Sequence, residues 1–297
     1  MMMNEWENWN MRILLDAKDL INIVEHDFPV SVVDFGQWLR DRDSVAVLSF
    51  TGISDFVGPA FPNNTFLEKR VLLQKIETLP VVYIREGTIV QDELRAAMVA
   101  FHNATEPIRL TPYVRRWDET AKWEGDAATK ILVGLRLDEI VYMARRAIQI
   151  YKVEASGIRS YIESERVIPK AERWTLKEMF INRLPDRFGA YKIDPQIFDV
   201  KKFGEWLWSE PKRCLGMRLH FESHHQMVND KSLRFDDGDI ADFAHIAALP
   251  YVDILTVDKR IDDLLKKVLQ KFKATAWAPV LQQNVFRNIG QVMEKFQ

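Results

Sequence analysis

Four aspartates stand where short apolar runs end or where helices begin. Asp16 follows Arg12-Ile13-Leu14-Leu15 and Asp258 follows Ile254-Leu255-Thr256-Val257. Asp55 lies one turn into the helix expected after SVAVLSF, and Asp242 lies on the helix that leads into the ILTV run. Carboxylates a few ångströms apart cannot all stay ionised unless a cation compensates them. A hard divalent ion does so with few protein ligands, because Mg²⁺ or Mn²⁺ prefers oxygen donors and keeps several waters. Such an ion polarises a phosphoryl oxygen and activates water, so phosphodiester hydrolysis is the chemistry these residues suit. Asp239 shares a helix face with Asp242, and Glu93 lies on the non-apolar face of QDELRAAM. Both are reserve ligands. The competing structural reading is that Asp commonly caps helices and suits their positive ends.

Other reactive groups point less clearly. In HFESHH, His220 and His224 can share a helix face and offer two zinc donors, but no H-E-x-x-H pattern is present. His245 reads as a buried hydrogen-bonding residue rather than a base. Asp253 reads as a local structural partner, and Asp262 with Asp263 as a solvated helix start. Phosphate-binding and nucleophile-elbow glycine motifs are missing from the sequence. A single cysteine, Cys214, excludes an internal disulfide and makes thiol catalysis a poor bet.

The elements that must position the acids alternate between strand and helix. RILL predicts a buried strand feeding the helix KDLINIVEH, and SVVDFGQWLRDR a second helix. SVAVLSF is the strongest strand signal. FLEKRVLLQKIETLP predicts a helix stopped by Pro80, and VVYI a strand. Thr88 with Gln91 three residues on predicts a capping box opening QDELRAAMVAFH, with Leu94, Ala97, Met98 and Phe101 facing a core. After residue 108 the pattern turns helical, as in ATKILVGLRLDEIVYMARRAIQIYK, and no strand is expected before Asn229. From Asp239 the chain alternates again, through the strand DILTV to the helix RIDDLLKKVLQKF. A parallel sheet with helical crossovers follows.

This series of acids and elements resembles the PIN-domain family of metal-dependent nucleases. RILLDAKDL looks like that family's first strand and acid, and VAVLSFTGISDF like its second strand and middle acid. DIADFAHIAALPYVDILTVDK looks like the helix and strand bearing its last two acids. The resemblance implies an α/β fold, a three-layer PIN-like domain with a parallel sheet, plus a mainly α-helical insertion. It divides the chain into residues 1–108 and 230–297 for that domain and 109–229 for the insertion. It also implies that Asp16, Asp55, Asp242 and Asp258 are metal ligands or water activators, with Mg²⁺ or Mn²⁺ as cofactor. Lys18 stands where the family commonly has a small polar residue, and Asp55 where it more often has Glu.

Composition limits the partners. The 297 residues and 47% apolar content suffice for a packed core, and 41 basic against 43 acidic residues nearly cancel. Charge is uneven, however. Between Arg109 and Arg218, 22 Lys and Arg stand against 16 Asp and Glu. There Arg115, Arg116, Arg145, Arg146, Lys201, Lys202, Lys212 and Arg213 interleave with Trp117, Trp123, Trp174, Trp206 and Trp208, a pattern able to grip phosphates and stack on bases. The reading is a cytoplasmic hydrolase of RNA or single-stranded nucleic acid without a membrane span, with assembly into a homo-oligomer left open. The alternatives are a catalytically degenerate PIN-like module that binds nucleic acid or protein, and a metal-dependent phosphatase.

Overall fold

The computed structural model describes residues 9–57, 71–72, 74–114, 155–190, 199–235, 239–271, 281 and 284–297. The helical pattern over 128–152, together with Arg115, Arg116, Trp117, Trp123, Arg145 and Arg146, lies outside them. The chain is α/β, built on a six-stranded, mostly parallel sheet. By its packing it divides into two units, one comprising residues 1–87, 112–153 and 251–297, the other residues 88–111 and 154–250.

The first unit holds the sheet. Its elements are β1 (Met11–Leu14), α1 (Ala17–Glu25), α2 (Val32–Arg40), β2 (Ser44–Ser49), α3 (Phe50–Val57), β3 (Val81–Ile84), β4 (Tyr113–Val114), β5 (Ile254–Thr256), α10 (Lys259–Lys271), β6 (Val285–Phe286) and α11 (Ile289–Lys295). The strand order is β4-β3-β2-β1-β5-β6. Leu14 pairs in parallel with Val47 on one side and Leu255 on the other. Ser49 pairs in parallel with Ile84, and Thr256 with Phe286. Among the described strands only β4 runs antiparallel, with Tyr113 opposite Ile84. β2 is buried at all six positions, which explains its uninterrupted apolar reading: both faces of a central parallel strand are covered. One face packs Ile13, Leu15, Ala46 and Leu48 against Leu20 and Ile23 of α1, Phe35 and Leu39 of α2, Phe56 of α3 and Val292 of α11.

The second unit is helical. Its elements are α4 (Ile89–His102), α5 (Leu176–Asn182), α6 (Leu184–Ala190), α7 (Val200–Ser209), α8 (Leu215–Asn229) and α9 (Asp239–Ala248). Their shared core contains Leu94, Ala97, Phe180, Phe188, Phe203, Met217, Phe221 and Ala247.

The structure departs from the sequence reading in two places. β4 is a strand within 109–229, where none was expected. At two residues it carries no periodic signal, and it exists because Tyr113 and Val114 pair with β3. Thr88 forms no capping box, because a 3₁₀ turn over Glu86–Thr88 already places it in a helical conformation. Its hydroxyl donates instead to Asp92 Oδ2 at 2.9 Å. α4 and α9 pack with the helical unit through contacts with α8.

Candidate metal centre at the carboxyl edge of the sheet

Within the first unit, β3, β2, β1 and β5 are parallel neighbours and all exit at one edge. Asp16 lies two residues beyond Leu14, and Asp258 two residues beyond Thr256, so adjacent strands each deliver a carboxylate to that edge. In open α/β sheets the crevice outside the carboxyl ends of the strands is where ligands bind. The two strand ends are tied together, since the Asp16 backbone N–H donates to the Thr256 hydroxyl at 2.9 Å. Both acids begin helices. The Asp16 carbonyl accepts the N–H groups of Asp19 and Leu20, whereas its carboxylate caps none of the helix's N–H groups. Asp258 Oδ1 accepts the Ile261 N–H at 2.8 Å, and its other oxygen has no hydrogen bond among the described residues. Both side chains are half-buried.

Two further acids sit near this edge. Glu86, two residues past β3, is 2% exposed, and its Oε1 accepts the Thr51 N–H at 3.1 Å in the first turn of α3. Ser49 Oγ at the end of β2 accepts the Gly52 N–H at 2.9 Å, completing that helix start. Asp19 is 1% exposed; burial pushes its carboxyl above the usual range, with Thr256, Ile289 and then Lys18 acting the other way. Sequence reasoning missed both acids. Applying the strand-end criterion to VVYI as well would have flagged Glu86. The three-residue spacing from Asp16 was the available signal for Asp19. The α3 backbone carries Asp55, whose side chain lies outside the described residues.

In the second unit, Asp239 and Asp242 occupy the first turn of α9 and His245 its last. A carboxylate oxygen of Asp242 and a ring nitrogen of His245 lie within 4.8 Å of one another. Burial lowers the His245 imidazole to about 4, so it is neutral at pH 7 and able to accept or ligate through one nitrogen. Asp239 is fully buried and Asp242 half-buried. Glu93 has a different setting. Its two oxygens accept the backbone N–H groups of Gly216 at 2.8 Å and Met217 at 2.6 Å, so the carboxylate closes the start of α8.

His220 and His224 do share a face of α8, with ring centroids 4.6 Å apart, and His224 packs on Phe243 at 4.3 Å. Among the described residues no third His, Cys, Asp or Glu donor joins them in a metal-sized group. The arginines and tryptophans of this unit largely engage one another. Arg213 lies 4.1 Å over the Trp206 ring and pairs with Glu106 at 2.8 Å, while Arg218 lies 3.6 Å over Trp208. Lys201, Lys202 and Lys212 remain exposed, as does Trp174. No helix among the described residues is long and apolar enough to cross a membrane. Comparison of the chain with protein-family models, with curated proteins and with solved structures finds no match.

Proposed function

We propose that the protein is a PIN-like nuclease that uses Mg²⁺ or Mn²⁺ to hydrolyse phosphodiester bonds of RNA or single-stranded nucleic acid in the cytoplasm. The observation that carries this reading is the pair of parallel neighbours β1 and β5, each ending in an aspartate at the same edge and joined through Thr256. The donor set fits a hard cation. Asp258 has one oxygen without a hydrogen bond among the described residues, and both Asp16 and Asp258 are half-buried rather than enclosed. Asp16 and Asp258 would be the main ligands, with Asp55 orienting water. Bound there, the cation would polarise a phosphoryl oxygen and lower the pKa of an attacking water. The chain's own part is to hold the acids at a rigid sheet edge, since ligands fixed by strands keep their geometry better than ligands on loops. The exposed Lys201, Lys202 and Lys212 would attract the phosphate backbone.

The test is cleavage of labelled RNA and single-stranded DNA by the wild type, Asp16→Asn and Asp258→Asn in Mn²⁺, with a generic phosphate ester alongside. Loss of nucleic-acid cleavage in both variants, with folding retained, supports the reading. Full activity in both rejects it. A protein that binds nucleic acid but no divalent ion in calorimetry is the degenerate binding module instead. Preference for the small ester makes it a phosphatase.

A further inference from the structure

We infer that the groove between α10 and β6 is a subsite for single-stranded nucleic acid, in which Lys266 and Arg287 grip a backbone phosphate beside the metal edge. This rests on the nuclease reading and says where the strand lies. A cavity of about 490 Å³ opens there, lined by Leu265, Leu269 and Phe286 together with Asp262, Lys266 and Arg287. Clefts that hold ligands measure about 300 to 1,000 Å³ and combine apolar lining with a few convergent polar groups. The two cations are fixed in place. Asp262 Oδ2, on a side chain only 9% exposed, accepts Lys266 Nζ at 2.7 Å and Arg287 Nε at 2.6 Å. The Arg287 backbone is held as well, its N–H donating to Gln291 Oε1 at 3.0 Å.

One carboxylate oxygen thus serves two cations and leaves donors over. Arg287 Nη1 and Nη2 make no hydrogen bond among the described residues, and Lys266 keeps two ammonium hydrogens. Asp263 Oδ1 comes only to 3.7 Å from Nη2, from a side chain that is itself half exposed. With Arg287 42% and Lys266 55% exposed, both reach solvent, and a guanidinium fork matches two phosphate oxygens. A purely structural stitch between α10 and β6 is the competing account. Exposed ion pairs add little stability, however, and a stitch explains neither the leftover donors nor the open apolar lining. Position supplies the link to the metal edge. The Asp262 N–H donates to the Asp258 carbonyl at 2.9 Å, and Arg287 directly follows Phe286, which pairs with Thr256 two residues before Asp258. One helical turn rises about 5.4 Å, so a strand lying at Asp258 also reaches the cations.

The experiment titrates a short fluorescein-labelled oligothymidylate, and separately AMP, into wild type, Lys266→Gln, Arg287→Gln and Arg287→Lys, all in EDTA. Each Gln variant should weaken oligonucleotide binding roughly tenfold and lower the salt slope by about one. Arg287→Lys, which keeps the charge but loses the fork, should fall between Arg287→Gln and wild type. In wild type the amide resonances of Phe286 and Gln291 should shift during the titration. Equal oligonucleotide affinity in wild type and both Gln variants overturns the inference, as does a wild type that binds no oligonucleotide. AMP bound more tightly than the strand, and lost in the variants, overturns it in favour of a mononucleotide site. If Arg287→Gln fails to fold, the exposed Lys266→Gln decides. EDTA keeps cleavage out of the readout: active Asp16→Asn and Asp258→Asn variants sink the nuclease reading, and binding in EDTA still decides the groove.

Discussion

Asp253 grips Arg12 three times: it accepts the backbone N–H at 2.9 Å, Nε at 2.7 Å and Nη2 at 2.9 Å. In return the Asp253 N–H donates to the Arg12 carbonyl at 3.0 Å. The hydrogen bond to Asp253 raises the Arg12 guanidinium's pKa further, outweighing burial, with help from Tyr113, whose ring lies beneath it at 5.5 Å. The Tyr113 hydroxyl donates in turn to the Tyr251 carbonyl. This knot joins β1, β4 and the approach to β5, the strands whose register sets Asp16 beside Asp258.

Asp253→Ala should therefore destabilise the fold by about 1 to 2 kcal/mol in urea melts, a figure discounted because the side chains are 24% and 36% exposed. Arg12→Lys should lose part of this, because an ammonium cannot reproduce the paired fork.

Gly216 marks a close approach of α8 to α9. A Cβ there would lie 2.4 Å from the Ala247 carbonyl oxygen, with Ile89 and Glu93 also crowding it. Gly216→Ala should cost about 1 to 3 kcal/mol. Gly204→Ala should cost less, since its nearest neighbour is the flexible Leu184 Cδ1 at 2.9 Å. Thermal melts of the two variants test the ordering.

Glu93→Gln places an amide NH₂ against one of two N–H donors and should lower stability by about 1 to 3 kcal/mol. Mn²⁺ affinity should stay at the wild-type level. A variant with full stability and lost ion binding would make Glu93 a ligand rather than a helix cap.

Acid should destabilise the protein through its histidines. Burial lowers His245 to about 4; burial and then Arg187 lower His220 to about 3, against a backbone bond to Phe243. Burial, His220 and Arg187 lower His224 well below its ordinary value. In the unfolded chain these imidazoles protonate near 6.5, so from there down to about 4 the unfolded state binds protons that the folded state refuses. Stability falls with falling pH, by roughly 1.4 kcal/mol per unit for each such histidine once well below 6.5. Urea midpoints between pH 7.5 and 4.5 should show this, and His245→Gln should flatten the slope.

Divalent ions should stabilise the wild type. At a hundred times the dissociation constant, Mn²⁺ should add about 2.7 kcal/mol and raise the melting temperature by a few degrees. Asp16→Asn and Asp258→Asn should abolish the shift.

The strands of the central sheet were legible because each is a short apolar run, and β1 and β5 were marked further by the acid behind them. β4 and β6 were not, because two residues carry no period and their existence depends on partners far along the chain. Asp262 shows the same limit. It reads as a solvated helix start, yet it is 6% exposed, with Lys266 at 2.7 Å and Arg287 at 2.6 Å. Burial raises its carboxyl, and these two cations outweigh that and bring it below the usual range. Lys266 is visible as an i,i+4 pair, whereas Arg287 arrives from another element. Among the candidate site residues, sequence order supplied Asp16 and Asp258. It missed Asp19 and Glu86, whose burial follows from tertiary packing. Nor did it foresee Glu93 at the start of α8, a partnership spanning more than a hundred positions.

The strand order also sets a timetable for synthesis. β1 leaves the ribosome well before β5, yet its Ile13 and Leu14 pair on one side with Ile254 and Leu255 of that later strand. Until then the nascent chain carries an open β edge beside its most apolar strands, an invitation to mispairing with other chains. A ribosome stalled before residue 254 would hold an aggregation-prone half-sheet, and chaperone demand during translation should peak in that interval.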